Sequence, residues 1–207
     1  MSETISSHKK ISYACERNKQ VILETLTKYL PKSCKVLEIA SGSGQHAFHF
    51  LSKQSSWKWQ PSDPSPEAIL SIFAYKNELG SNNFLPPKRL STLEKSWDVG
   101  KFDAIVCCNM LHICSWQECL GLFVHAKKHI IQNGYLILYG PFIEKNIPLA
   151  PSNKDFDRSL KKQNPCWGIR ELEKVNDTAE KNNFKVLNLH KMPANNLVVI
   201  FQKKASS

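Results

Sequence analysis

The first half of the chain alternates short apolar runs with stretches in which apolar residues recur at helical spacing. The runs are typical of buried strands, and the helical spacing is typical of amphipathic helices. Ser65-Pro66-Glu67 marks a helix start and Gly80 its end. The elements predicted here are a helix over 11–29, a strand over 35–40, a helix over 45–53, a strand over 57–61, the helix that stops at Gly80, and a strand over 87–91.

The second half continues this alternation and ends in two strands. Ser115 and Glu118 fit a capping box, in which each side chain satisfies a free backbone N–H. Asn133-Gly134 predicts a turn after that helix. The elements predicted here are a strand over 102–108, a helix continuing to about Ile131, a strand over 135–140, a long polar excursion over 141–170, a helix around 171–182, and strands over 184–190 and 197–203.

Strands that alternate with helices predict an α/β fold, with a mostly parallel sheet and helices on both faces. The last two strands are separated by little more than the segment MPANN, so they must run antiparallel. One antiparallel strand is therefore expected to end an otherwise parallel sheet. In such a sheet, ligands bind beyond the carboxyl ends of the strands. Polar residues gather at these ends, which indicates a binding site at that edge.

Composition narrows the class of protein. The chain has 207 residues, 42% hydrophobic and 22% charged, as in an ordinary globular domain. It has no apolar run that could cross a bilayer and no secretory signal, so we expect a cytoplasmic protein without a membrane partner. The seven cysteines contain no CxxC pair, so free buried thiols are favoured. The less favoured alternative is a metal site built from Cys107, Cys108, Cys114, Cys119 and His112.

The charge balance raises the question of a nucleic-acid partner. There are 28 basic and 18 acidic residues, for a net charge of +10. The lysine pairs are scattered along the chain, and no aromatic residues interleave with a basic cluster as they do in single-strand binding proteins. A generally basic surface is therefore favoured, and a nucleic-acid substrate is the less favoured alternative.

A glycine-rich turn carries the strongest chemical signal. Gly42, Gly44 and Ala47 match the pattern GxGxxA directly after the strand over 35–40. The first glycine allows a tight turn, and the second lets a ligand approach the backbone. Asp63 follows Gly42 by 21 residues at the end of the next strand, where an acid accepts hydrogen bonds from ribose hydroxyls. Together these features predict a nucleoside-containing ligand. The alternative is a structural turn with a capping aspartate.

Three features favour S-adenosylmethionine (SAM) over a nicotinamide dinucleotide. Glu38 lies inside the first strand, where it can order the glycine loop or reach the methionine end of the ligand. The closing antiparallel hairpin is the usual ending of SAM-dependent methyltransferases. The segment Asn109-Met110-Leu111-His112 resembles the one that flanks the adenine and the methyl donor in those enzymes.

These residues also resemble a known family. From about Ala14 to Lys203 the chain is similar to small SAM-dependent methyltransferase-like proteins that were long grouped only as a domain of unknown function. The resemblance implies a Rossmann-like class I methyltransferase fold with a seven-stranded sheet, SAM as cofactor, and a substrate that is not established. The segments that carry it are ACERNKQVIL, VLEIASGSGQH, WQPSDPSPEAILSI, DAIVCCNMLHI, LYGPF, APSNKDFDRSL, WGIR and MPANNLVVIF.

The cofactor residues are expected on the N-terminal helix and at the strand ends. In this fold that helix often lies over the cofactor, so Arg17 is expected to pair with the methionine carboxylate. Relatives usually carry an aspartate after the third strand, where this chain has Ser91-Thr92, so a serine hydroxyl without charge is expected to meet the adenine there. The expected cofactor-binding residues are Arg17, Glu38, Ala40, Gly42, Ser43, Gly44, His46, Asp63, Ser91, Asn109 and Met110.

Methyl transfer needs alignment and, for an oxygen or nitrogen acceptor, a group that takes up a proton. His112 is the candidate base, although a structural role in the cofactor pocket fits it as well. Tyr139 ends the strand over 135–140 as a candidate catalytic residue or as a rim aromatic. The expected substrate-binding residues are Tyr139, Ser152, Asn153, Asn195 and Asn196.

These expectations combine into a single methyltransferase domain over 1–207 that acts on a small molecule. Its parts are an N-terminal helical cap over 1–31, a SAM-binding core over 32–140, an active-edge insertion over 141–170, and a helix with the closing hairpin over 171–207. The alternatives are a protein that binds SAM without turnover, an RNA or protein methyltransferase, and, least favoured, a nicotinamide-dependent oxidoreductase. The oligomeric state is not readable from the sequence.

Overall fold

The computed structural model describes residues 8–205, and most of its elements match the predicted ones. Residues 1–7, on which the absence of a secretory signal partly rests, and residues 206–207 lie outside this range. In chain order the elements are α1 Tyr13–Tyr29, β1 Lys35–Ile39, α2 Gln45–Lys53, β2 Lys58–Pro61, α3 Pro66–Leu79, β3 Phe102–Cys108, α4 Trp116–His129, β4 Ile130–Gly140, β5 Phe142–Ile143, α5 Pro151–Gln163, β6 Arg170–Glu171, α6 Leu172–Lys181, β7 Phe184–Met192 and β8 Asn196–Lys203.

The predicted helix ends are confirmed because their capping groups form. The Ser65 side chain accepts a hydrogen bond from the Ala68 N–H, and Gly80 ends α3 in the left-handed conformation. The capping box is also present, with Ser115 and Glu118 satisfying each other's backbone N–H at the start of α4. Local side-chain chemistry thus fixes where these helices begin and end.

Two local predictions in the second half are corrected. Asn133 has the left-handed φ of 59° expected of a turn, but β4 already begins at Ile130 and continues through it. Pairing with β8 starts only at Tyr135, so the irregularity lies inside the strand. The excursion over 141–170 is not irregular throughout, since it contains β5, α5 and β6.

The predicted strand over 87–91 is wrong, and the prolines next to it give the reason. Residues 83–88 run beside β2 and make only isolated parallel bridges, Trp59 with Phe84 and Ser62 with Lys88. Pro86 and Pro87 have no N–H to donate, so a continuous ladder cannot form. The sheet in residues 8–205 therefore has six strands where seven were expected, and this segment lies along the edge of β2.

The six strands follow the order β2-β1-β3-β4-β8-β7, with a separate two-stranded pairing of β5 and β6. β1 and β2 are parallel, whereas β8 is antiparallel to both β4 and β7. The predicted antiparallel hairpin is confirmed. The antiparallel strand β8 lies between β4 and β7, and β7 forms the edge of the sheet.

The chain forms two compact units, each with its own buried aromatic contacts. The first comprises the chain up to Ser91 together with Phe102–Val106, and the second comprises Thr92–Lys101 and the chain from Cys107 onward. In the first, Phe50 packs edge-on against Trp59 with ring centres 5.3 Å apart. In the second, Phe123 packs edge-on against Phe201 at 6.1 Å. Within residues 8–205, none of the helices combines the length and apolar character needed to cross a bilayer.

Candidate functional site

The two glycines of the turn after β1 have different surroundings, since Gly44 packs against the protein and Gly42 does not. Ala40, Gly42 and Gly44 all have positive φ, at 55°, 58° and 90°. A Cβ added to Gly44 would lie 3.0 Å from the Ile72 Cα, so the close approach of α2 and α3, together with the positive φ, favours glycine here. A Cβ added to Gly42 would meet no atom within 4 Å. The space beside Gly42 is therefore available to a ligand.

The end of β2 braces this turn through Asp63. The Gly42 N–H donates to Asp63 Oδ2 and the Ser65 N–H donates to Oδ1, each at 2.9 Å. Ser41 and Ser62 add two further bonds, since the Ser41 N–H donates to the Ser62 carbonyl and the Ser62 N–H donates to the Ser41 hydroxyl. A carboxylate oxygen can accept more than one hydrogen bond, so this bracing leaves Asp63 able to meet ribose hydroxyls.

Glu38 presents a buried carboxyl group next to the same turn. Its side chain is only 1% exposed. Oε2 accepts a hydrogen bond of 3.1 Å from the Trp59 indole N–H, but Oε1 has no partner within residues 8–205. Burial raises the pKa of Glu38 to about 7 against the lowering effect of hydrogen bonding, and the nearby Asp63 charge adds a smaller upward shift. A buried acid with an unpartnered oxygen is costly to the fold, which marks this position as a candidate for ligand binding.

His46 lies behind the turn as a neutral imidazole. Its Nε2 is 2.8 Å from Asn18 Oδ1, and because an amide oxygen can only accept, Nε2 carries the ring proton. The other ring nitrogen, Nδ1, then faces Glu38 Oε1 at 3.9 Å with a lone pair. Burial lowers the pKa of His46 to about 4. The histidine therefore supplies no positive charge to balance an ionised Glu38.

Gln45 connects the turn to the start of α1. Its side-chain oxygen accepts hydrogen bonds from the Ser12 N–H and from the Ser43 hydroxyl, and its amide nitrogen donates to Glu16 Oε1 at 2.6 Å. Ser71 adds a second link, because it donates to the Ser43 carbonyl at 2.7 Å while it accepts from the Lys10 N–H. The N-terminal segment is thus fixed to the glycine turn by buried polar groups.

The predicted cofactor residues of this unit are not equally placed. Glu38, Ser43, His46 and Asp63 lie at the turn or brace it, and their cofactor contacts stay a prediction. The Arg17 side chain is exposed, and its neighbours Glu16 and Asn18 make the contacts to the turn instead. Ser91 is half-buried at the end of this unit's first segment.

The second unit contains the remaining predicted cofactor and catalytic residues. Asn109 has a φ of 59°, and its N–H donates to the Tyr139 carbonyl at 2.8 Å. Met110 is buried, with its sulfur 3.6 Å from the Cys107 thiol. His112 is 6% exposed and packs edge-on against Phe156 with ring centres 5.4 Å apart. Asn109 and Met110 thus hold the chain after β3, and their cofactor contacts stay a prediction.

His112 and Tyr139 are both buried, which bears on their candidate catalytic roles. Burial, with a smaller effect of the Arg170 charge, lowers the pKa of His112 to about 4. Its imidazole is neutral at pH 7 and weakly basic. Tyr139 is 5% exposed within β4, opposite Val198 of β8. Both roles stay predictions.

The second unit also contains a cavity of about 190 Å³ next to the closing hairpin. The predicted substrate residues Asn153, Asn195 and Asn196 all line it, so the structure brings together residues from the excursion and from the hairpin turn. Ser152 is exposed beside it, and its hydroxyl lies 3.5 Å from the Asn195 amide nitrogen. Phe142, Leu149 and Leu197 are among its apolar lining residues.

Sequence reasoning missed several residues that position the glycine turn. Gln45 and Asn18 are polar residues buried at 4% and 7% exposure, and Trp59 donates to Glu38. The adjacent polar residues Gln45 and His46, directly after the glycine turn, were a usable signal. Trp59 had none, because a tryptophan in a buried strand usually indicates core packing alone.

The fold defines a class, since it is an α/β fold that resembles class I methyltransferases. The chain superposes with a TM-score of 0.79 and 14% identity on an O-methyltransferase family protein from Burkholderia thailandensis, covering 94% of this chain and 58% of that one. On an O-methyltransferase family 2 protein from Planctomyces limnophilus, solved with apigenin, it superposes with a TM-score of 0.73 and 16% identity, covering 89% of this chain and 61% of that one. On human N-acetylserotonin methyltransferase, solved with SAM, the TM-score is 0.74 and the identity 13%, covering 93% of this chain and 53% of that one.

The chain spans between 53% and 61% of the length of these three proteins, and identities this low show similarity of fold. A family model matches residues 9–203, which is nearly the whole chain. The protein belongs to the DUF938 family, whose description is a protein of unknown function. The predicted membership of a methyltransferase-like family of unknown substrate is confirmed.

Proposed function

We propose that the protein is a SAM-dependent methyltransferase that acts on a small molecule. The observation that carries the proposal is the buried Glu38 carboxyl group, whose Oε1 has no partner within residues 8–205 although it lies beside an open glycine turn. An ammonium group such as that of the methionine end of SAM would give this oxygen a charged partner. The fold of the structural neighbours supports the same cofactor.

The residues of the turn fit the other parts of SAM. Asp63 can accept hydrogen bonds from the ribose hydroxyls while it holds the Gly42 N–H. The open space at Gly42 lets a ligand approach the backbone, which a side chain at this position would prevent. Ser91 can form a hydrogen bond with the adenine amino group, but it supplies no charge where relatives carry an aspartate. We therefore expect SAM affinity to depend mainly on the methionine and ribose ends.

When bound, SAM supplies a methyl group already activated by its sulfonium. The chain has to hold the cofactor, align the acceptor and exclude water. Glu38, Asp63 and the turn backbone perform the first task in this proposal. His112 and Tyr139 are proposed for the acceptor side, with His112 as a weak base because its pKa is lowered to about 4. An acceptor that loses its proton readily to water suits such a site.

The central test is SAM binding by isothermal titration calorimetry. Wild-type protein is expected to bind SAM with release of heat, and Glu38→Gln is expected to weaken binding about tenfold or more because a charge-assisted hydrogen bond is lost. Glu24→Gln, an exposed carboxyl on α1, is the matched control. Absence of wild-type binding at millimolar SAM would remove the proposal.

A second candidate function, SAM binding without turnover, is favoured by the low basicity of His112. Incubation of the protein with methyl-labelled SAM and a metabolite extract separates the two functions. Methyl incorporation into small molecules supports the enzyme, whereas binding without incorporation supports the sensor. Incorporation confined to RNA or protein would move the acceptor to the macromolecular alternatives, and RNA binding would then weaken with salt.

A further inference from the structure

The cavity beside the closing hairpin has a polarity that identifies the chemistry of its occupant. Asn153 is 7% exposed, and its amide nitrogen donates to the Asn195 backbone carbonyl at 3.1 Å. The Asn196 amide nitrogen donates to the carbonyls of Pro193 and Ala194, at 3.1 and 3.3 Å. Because carbonyl oxygens can only accept, these partners fix the orientation of both amides.

The amide oxygens of these two side chains are left as acceptors. Neither Asn153 Oδ1 nor Asn196 Oδ1 receives a hydrogen bond from the part of the chain that the structure describes, and both residues line the cavity. Asn153 is the stronger indicator because the residue is only 7% exposed while its Oδ1 stays accessible to a ligand and receives no hydrogen bond from residues 8–205. A ligand in the cavity must therefore bring N–H or O–H groups of its own.

Charge at the cavity selects between these donors. Glu144 lines the cavity, is half-buried, and its carboxylate pairs with no group within residues 8–205. Lys191 also lines it but is exposed, so its flexible ammonium group remains hydrated. A half-buried carboxylate with two amide oxygens prefers an ammonium or amine over a neutral hydroxyl. Apolar residues such as Phe142 and Leu197 suit an apolar body attached to that amine.

We propose that this cavity binds a small amine with a free N–H and an apolar body. The two amide oxygens accept hydrogen bonds from its N–H groups, the Glu144 carboxylate pairs with its positive charge, and the apolar lining residues pack against its body.

The test uses three probes that share one phenylethyl body, in the absence of SAM. They are 2-phenylethylamine, its alcohol 2-phenylethanol, and its trimethylammonium derivative, which keeps the charge but has no N–H. Ligand-observed NMR or calorimetry at millimolar concentration is expected to give the tightest binding for the amine, with each analogue about fivefold to tenfold weaker.

Glu144→Gln is expected to reduce amine affinity to about that of the alcohol, and the exposed Glu180→Gln is the matched control. Asn153→Ala also removes the bond to Asn195, so Glu144→Gln is the more direct variant. Equal binding of the trimethylammonium probe, amine binding unchanged by Glu144→Gln, or no binding of any probe would overturn the inference. Amine binding in a protein that does not bind SAM would support the cavity assignment while refuting the proposed function.

Discussion

Glu38 provides a quantitative prediction, because its carboxyl group is a cost to the folded protein. Burial moves its pKa from 4.5 to about 7. At 1.36 kcal/mol per pH unit, ionised Glu38 destabilises the native state by about 3 kcal/mol. The side chain is 1% exposed, so solvent screens little of this energy. Glu38→Gln removes the ionisation and keeps an acceptor for the Trp59 indole N–H.

Proton linkage determines whether the stability of the folded protein rises or falls with pH. The folded pKa lies above the unfolded one, so between pH 4.5 and 7 the folded state binds more protons and stability falls as the pH rises. Above pH 7, Glu38 is ionised in both the folded and the unfolded state, so it causes no further loss of stability. Relative to wild type, Glu38→Gln is therefore expected to gain about 2 to 3 kcal/mol between pH 5 and pH 8.5. The pKa of His46 is lowered to about 4, below this pH range, so its titration contributes little to the difference.

The assay is urea unfolding at several pH values, with the free-energy difference between the two proteins as the readout. Any effect of the amide that is independent of pH shifts this difference by a constant, so its slope carries the test. Glu24→Gln should remain within about 0.5 kcal/mol of wild type. A difference between wild type and Glu38→Gln that stays flat from pH 5 to pH 8.5 would refute the reasoning, since an ionised Glu38 would then cost the fold nothing.

Three further predictions concern the same turn. Gln45→Glu places a second carboxylate against Glu16, so SAM affinity measured by calorimetry is expected to fall about tenfold. The double variant with Glu16→Gln restores the hydrogen bond and is expected to recover most of the affinity. If the double variant shows no recovery, this hydrogen bond does not position the turn. Gly44→Ala is expected to lower the free energy of unfolding in urea by about 1 to 3 kcal/mol. Gly42→Ala is expected to lower it less but to weaken SAM binding more. Equal effects of the two variants on stability and on binding would contradict the different roles given to these glycines. SAM affinity should weaken below about pH 7 as Glu38 takes up a proton, and a calorimetric pH series on Glu38→Gln should be flat.

The sequence was sufficient for most elements of the fold because their boundaries depend on local chemistry. The helix after Ser65, the capping box at Ser115 and the closing hairpin are all set by residues within a few positions of each other. The strand over 87–91 failed for a local reason that was also visible, the paired prolines at 86 and 87. The continuation of β4 through Asn133 could not be read locally, because Asn-Gly is a strong turn signal that the extended strand overrides.

The site divides in the same way. Glu38, Gly42 and Asp63 could be placed at one turn from the sequence, because the glycine turn and the acids of the two adjoining strands form recognisable patterns, and their ligand contacts stay a prediction. The role of Gln45 could not be deduced, because its partners Ser12 and Glu16 lie about thirty residues earlier in the chain. The polarity of the cavity was also hidden, since it depends on which atom of each amide faces a backbone carbonyl.

The segment beside β2 has a consequence for association between molecules. From Phe84 to Lys88, every N–H is either absent or already bonded: the Phe84 N–H donates to Ser81, the N–H groups of Leu85 and Lys88 donate to β2, and the two prolines have none. Exposed sheet edges recruit strands from other chains through free N–H and C=O groups. Here the edge has no donor to offer, so the prolines that prevent a seventh strand also protect this side of the protein against intermolecular β-pairing.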